Sequence, residues 1–175
     1  LYSHGAQEDI LIDAHPHIGT NLLPRIIKSI RQFIIQAGGE VLFDSKVVDF
    51  LIENGSVTGI KLANGNSYKA KAVVLATGHS ARDIYYLLRE KGIHLEAKNF
   101  AVGIRVEHPQ ALIDSIQYHR NNRGIYLPPA TYSLVEQIND RGVYSFCMCP
   151  GGTVVPAATS DNQMVVNGMS PTLRC

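Results

Sequence analysis

Ala72-Val73-Val74-Leu75-Ala76-Thr77-Gly78-His79-Ser80-Ala81-Arg82-Asp83 is the stretch on which the fold turns. Its first five residues are apolar throughout. A strand buried on both faces reads this way, and such strands belong mostly to parallel sheets covered by helices. Thr77-Gly78-His79 predicts the exit turn, and Ser80 with Asp83 three residues on predicts a capping box opening a helix. Ile84, Leu87 and Leu88 supply that helix with a buried stripe, and Gly92 stops it. In open α/β sheets, ligands gather beyond the carboxyl ends of the strands, where helix N-termini offer N–H groups. Gly78 lets a ligand approach the backbone and Thr77 adds a hydroxyl. A tight strand-to-helix turn with no ligand explains the same residues.

Upstream, the first nineteen residues show no period, and His15 and His17 flank Pro16 within them. From Asn21, Leu23, Ile26, Ile27, Ile30, Phe33, Ile34 and Ala37 recur at helical spacing. Thr20 or Asn21 can cap this helix, Pro24 is tolerated in its first turn, and Gly38-Gly39 ends it. Strands are expected at Glu40–Phe43, Lys46–Glu53, Ser56–Leu62 and Asn66–Ala70. Asn54-Gly55 and Asn64-Gly65 separate the last three as hairpin turns. The result is an antiparallel meander set between parts of an α/β unit.

Downstream of Lys98 the pattern changes. Phe100, Val102, Ile104 and Val106 alternate as in a strand, and Pro109 opens a short helix over Gln110–Ile116. Further strands are expected at Gly124–Leu127, Tyr132–Val135, Val143–Cys147 and Gln163–Val166. Asn139–Gly142 and Asn167-Gly168-Met169-Ser170 read as turns.

Composition limits the function classes. The chain has 175 residues, 45% hydrophobic and 18% charged, which is ordinary for a globular protein. Its 16 Lys and Arg against 15 Asp and Glu leave a net charge of +1, so no overall field draws nucleic acid or acidic lipid. No apolar run approaches the roughly 20 residues that span a bilayer. No basic segment followed by an apolar one marks secretion, although the chain starts at Leu1 and this carries little weight. Three cysteines make no disulfide framework, which fits a reducing cytoplasm.

Several polar groups have both a chemical and a structural reading. Cys147 and Cys149 can form a redox pair, contribute with His15 and His17 to a metal site, or pack as small hydrophobes. His15 and His17 can act as a base, bind substrate or hold their loop. Arg105 and Glu107 can share a strand face and pair, with His108 beside them. Arg120 and Arg123 are a solvated basic loop or a contact for an acidic substrate. Asn167 and Ser170 are ligand-binding groups or parts of a surface turn. Pro150-Gly151-Gly152 allows backbone to lie against a flat ligand.

The run Val73 to Asp83 resembles the Ala-Thr-Gly segment of two-dinucleotide-binding-domain flavoproteins, and within them the uncharacterised FAD-dependent (NAD/FAD-utilising) dehydrogenases. In that group a helix, strand, meander and strand lead into a Phe-Ala-Val-Gly-x-Arg-x-Glu-His-Pro-Gln segment, which here is Phe100 to Gln110. The runs Gly142 to Gly152, Asn167 to Ser170 and His15 to Asn21 are similar too. The resemblance thus covers nearly the whole chain.

It implies an α/β protein: the central part of an FAD/NAD(P)-binding Rossmann-like domain with an antiparallel β-meander, plus a second, β-rich α+β domain. Residues 1–98 are then the partial FAD-binding domain, 99–160 the substrate-side domain and 161–175 the return segment. The implied cofactor is FAD, with NAD(P)H a candidate electron donor and a small molecule the substrate. Ala76, Thr77 and Gly78 would lie near the FAD, and Gly151 and Gly152 near the return toward the flavin domain. No catalytic residue or metal ligand is carried over. Gly-x-Gly-x-x-Gly, the loop that grips the pyrophosphate, is absent from the sequence. The expectation is therefore an internal piece of a cytoplasmic FAD-dependent oxidoreductase that binds FAD weakly or not at all by itself. The competing expectation is a non-catalytic α/β binding or interaction module.

Overall fold

Asn54-Gly55 forms a two-residue turn, and the meander grows from it. In this computed structural model, which describes residues 1–172, Asn54 and Gly55 take φ of 52° and 77°. Two successive positive φ values give the turn whose twist matches the strands it joins. Strands β1 (Val47–Glu53) and β2 (Ser56–Leu62) pair antiparallel from Glu53 opposite Ser56 outward. β3 (Ser67–Lys69) adds to β2 after a turn in which Gly65 N–H donates to the Leu62 carbonyl over 3.0 Å. The order is β1-β2-β3, with Phe50 and Leu62 buried. At Gly59 the strands come so close that a Cβ would stand 2.2 Å from the Tyr68 carbonyl oxygen.

The meander belongs to the unit Glu40–Val102, one of two into which the chain divides. Helix α2 (Arg82–Glu90) packs on β1 in this unit and buries Ile84. Its start differs from the expected capping box. Ala81 is the N-cap and has no side-chain oxygen to cap with, while the Asp83 carboxylate pairs with Lys46 Nζ, 2.9 Å away. Asp83 Oδ1 also accepts from the Ile84 N–H at 3.1 Å. A second ion pair, Lys91 to Asp49 at 2.7 Å, ties the end of α2 to β1.

The other unit comprises Leu1–Gly39 and the chain from Gly103 onward. Helix α1 (Leu23–Gln36) follows the expected periodicity, buries Ile26 to 1% exposure and ends as expected before Gly38, whose φ is 85°. A short 3-10 turn at Tyr2–His4 lies against it, with the His4 ring edge-on to Phe33 at 5.4 Å. Helix α3 (Gln110–Tyr118) buries Ile113 and Asp114. β4 (Val135–Ile138) and β5 (Arg141–Tyr144) form a hairpin about Asn139 and Asp140, both at positive φ. β6 (Thr153–Pro156) and β7 (Val166–Met169) form another. The whole is a mixed α/β fold with an antiparallel sheet and a second β-rich region.

Several expected strands are absent. Glu40–Phe43 and Gly124–Leu127 have no strand structure. Ala72–Ala76 and Phe100–Val106 are likewise unpaired, and Val74 and Ile104 are each 89% exposed. Every pairing among the described residues is antiparallel, so the expected buried parallel strand is not formed here. An apolar run becomes a strand only when a neighbour accepts from its N–H groups and donates to its C=O groups. β7 is displaced as well: Asn167 and Gly168, expected in a turn, pair with Val155 and Val154.

The surface measures how much is left uncovered. The protein exposes 14393 Å² at 19.2 kDa. A folded monomer of this mass exposes roughly 8,400 Å², and two separate bodies of these sizes roughly 10,000 Å². The excess is several thousand square ångströms, and the unpaired runs Ala72–Ala76 and Phe100–Val106 contribute to it.

Candidate functional site

The Ala76-Thr77-Gly78 turn lies open to solvent on the meander-bearing unit. Gly78 has φ of 76°, a conformation side chains resist, and a Cβ built there would have nothing within 4 Å. Open space over a positive-φ glycine is what close approach by a flat group requires. Gly38, Gly55 and Gly92 share positive φ and open space, so this geometry leaves room for a cofactor without marking the turn as its site. The described residues supply no loop for its pyrophosphate.

Gly151 and Gly152 lie in the other unit, in the turn entering β6. Gly151 has φ of 69°. Gly152 N–H donates to the Cys149 carbonyl at 3.1 Å, and a Cβ on Gly152 would stand 2.9 Å from that oxygen. The turn's own backbone therefore already requires Gly152. Beside it, Pro150 is fully buried, and the Cys147 and Cys149 sulfurs stand 3.7 Å apart.

The polar groups near the chain's two ends converge more closely than the sequence suggested. His17 Nε2 lies 2.8 Å from the Pro171 carbonyl and 3.3 Å from Ser170 Oγ. Thr20 donates its N–H and its Oγ1 hydroxyl to the Ser170 carbonyl at 2.9 and 3.1 Å. Thr172 donates its N–H to Asn21 Oδ1 and its hydroxyl to the Ile18 carbonyl. His17 and Ser170, each a candidate alone, thus belong to one clamp. Its hydrogen bonds explain both residues structurally. No sequence signal joined them, since their separation is 153 residues.

Arg105 and Glu107 do not pair with each other. Arg105 Nε donates to the Val166 carbonyl at 3.3 Å, and Glu107 Oε1 accepts from the Val154 N–H, so the two grip β7 and β6. His108 meets the Tyr132 hydroxyl at 3.0 Å. Arg123 is no solvated loop residue. It donates to Asp114 Oδ2 at 2.8 Å, while Asp114 Oδ1 accepts from the Ala130 N–H at 2.9 Å and Gln110 Nε2 at 2.8 Å. The Ala130 N–H foremost, then Gln110 and Arg123, hold the Asp114 carboxyl below its ordinary 3.8 against the opposing effect of burial. Sequence reading missed Asp114, because a lone acid inside a helix carries no local signal.

Among the described residues, no group of three or more His, Cys, Asp or Glu side chains is arranged to hold a metal ion, and no helix is long and apolar enough to cross a membrane.

Residues 99–175 match the family described as "FAD-dependent protein, C-terminal domain-like". A protein of Clostridium beijerinckii described as uncharacterized is 44% identical over 97% of this chain and 32% of its own length. The chain thus spans about a third of that relative. A prolycopene isomerase of Daucus carota chloroplasts is 28% identical over 61% of this chain and 16% of its own. The tRNA uridine 5-carboxymethylaminomethyl modification enzyme MnmG of Caldicellulosiruptor saccharolyticus is 61% identical over 19% of this chain and 5% of its own. The family match links residues 99–175 to FAD-dependent proteins.

Proposed function

We propose that this chain is an internal portion of an FAD-dependent oxidoreductase whose remaining polypeptide covers Ala72–Ala76 and completes the cofactor groove. The match of residues 99–175 to an FAD-dependent family carries the reading. The uncovered apolar surface supports it physically, since a five-residue apolar run at Ala72–Ala76 is costly to leave in water. In this reading residues 1–98 are the middle of a Rossmann-like flavin domain, 99–160 a substrate-side domain and 161–175 the return to the flavin domain. The setting is cytoplasmic.

FAD, when bound, supplies hydride or electron transfer between a small-molecule substrate and an electron partner, for which NAD(P)H is a candidate donor. The chain's own residues bind and orient. Gly78 lets the cofactor lie on bare backbone, Thr77 offers a hydroxyl, and Ala76 leaves room beside them. Gly151 and Gly152, on their own unit, are further candidate cofactor contacts.

The test is to express the chain alone and the frame extended upstream to include a strand and Gly-x-Gly-x-x-Gly. The extended protein should carry flavin, seen by visible absorbance and its bleaching by NAD(P)H, and the chain alone should carry little. A colourless extended protein, or an upstream sequence without that loop, would support the non-catalytic module instead.

A further inference from the structure

Cys147 and Cys149 occupy the exposed bend that follows β5, and their sulfurs are 3.7 Å apart. Residues i and i+2 of a regular strand are separated by about 6.6 Å along the chain, so strand geometry alone does not bring two such sulfurs together. Here strand β5 stops at Tyr144, and Cys147 adopts φ of 59°, a left-handed conformation unfavourable for a residue with a Cβ. That bend folds one thiol toward the other. Below them, buried Pro150 and the Gly152-to-Cys149 hydrogen bond hold the base of the turn. Cys147 is exposed and Cys149 partly covered.

We propose that Cys147 and Cys149 form a dithiol–disulfide exchange site that reacts with low-molecular-weight disulfides. The Cys147 thiolate, the more accessible, attacks one sulfur of the incoming disulfide. That S–S bond breaks, a mixed disulfide forms on Cys147, and the first small thiol leaves with a proton from solution. The Cys149 thiolate then attacks the Cys147 sulfur, closing the intrachain disulfide and expelling the second small thiol. Two protein thiols are oxidised and one external disulfide is reduced to two thiols, so electrons and protons balance. Closure needs the sulfurs to move from 3.7 Å to about 2.05 Å, a side-chain displacement within the existing bend. The site needs no flavin and stands whether or not the flavin reading holds.

The test uses oxidised glutathione, followed by alkylation and tryptic mass mapping of the chain or of any longer polypeptide carrying it. Trypsin releases Gly142 to Arg174 as one peptide holding both cysteines and separates it from Cys175. Folded protein should yield this peptide lighter by two hydrogen atoms, with both alkylation sites lost together. The closed fraction at a fixed glutathione ratio should be several-fold larger than in urea-unfolded protein. Cys149→Ser should stall with glutathione on Cys147, and Cys147→Ser should leave Cys149 largely unmodified. Equal closure in folded and unfolded protein, thiols that stay fully alkylatable, or Cys149→Ser without an adduct would each overturn the proposal.

Discussion

Thr20 and Ser170 are 150 residues apart in sequence, yet Thr20 gives both its backbone N–H and its hydroxyl to the Ser170 carbonyl. This pairing is the centre of the clamp between the loop before α1 and the segment after β7. It depends on Gly19, whose φ is 89° and whose missing Cβ would otherwise stand 2.3 Å from the Thr172 nitrogen.

Gly19→Ala should therefore destabilise the unit by about 1–3 kcal/mol, from backbone strain together with the clash. Thr20→Val, which removes only the hydroxyl donor, should cost about 1 kcal/mol. Urea unfolding gives the two values, and amide exchange at position 20 and at Thr172 should rise in both variants. Wild-type stability in Gly19→Ala would contradict the clamp.

Gly59→Ala tests the register of the meander. The added methyl meets the Tyr68 carbonyl oxygen and, at 3.0 Å, Lys69 Cα, and neither backbone atom can swing aside as a side chain would. A loss of about 1–3 kcal/mol is expected, with faster exchange along β3. Gly142→Ala is the control. The nearest atom there is Gln137 Nε2 at 3.6 Å, so its effect should stay within about 0.5 kcal/mol.

Asp114 sets the acid limb of stability in its own unit. Its folded pKa lies below the ordinary 3.8, held there first by the Ala130 N–H and then by Gln110 and Arg123. A depressed acid contributes fully above its unfolded pKa and loses that contribution as pH falls through the folded one. Urea midpoints should thus fall as pH drops below about 3.8, and more shallowly in Asp114→Asn. Asp49, depressed mainly by its hydrogen bond from Lys91, should behave alike in the meander unit, with Lys91→Met flattening the limb there. Identical limbs in wild type and variants would refute the assignment.

Local chemistry was legible in the sequence and partnership was not. The Asn54-Gly55 turn and the α1 stripe ending at Gly38 were readable because each is decided within a few residues. The β-prone runs at Ala72–Ala76 and Phe100–Val106 signal strands only through composition, which does not reveal whether a neighbour is present to pair with them. Asn167-Gly168 looked like a turn but pairs within β7. The absent Cβ of Gly168 there leaves room for the Arg105 guanidinium, 3.0 Å from where that carbon would be. At Gly78 the residue type announced a tolerance for positive φ but not the open space above it, since Gly19 and Gly59 are crowded glycines. The clamp at His17 and Ser170 and the Asp114 network required the fold.

The cofactor reading is tested most directly by the flavin content of Gly78→Val in the upstream-extended protein. Among the described residues other than its chain neighbours, nothing lies within 4 Å of the new Cβ. A φ of 76° strains any side chain there, so Gly92→Val, at φ of 70° with the same open space, is the control for strain. That control should keep its flavin, while a cofactor resting on the Gly78 turn is displaced. The account predicts a wild type with one flavin per chain and a variant whose FAD affinity is weaker by about tenfold or more, equivalent to about 1.4 kcal/mol. A variant that keeps full flavin at wild-type affinity would contradict it.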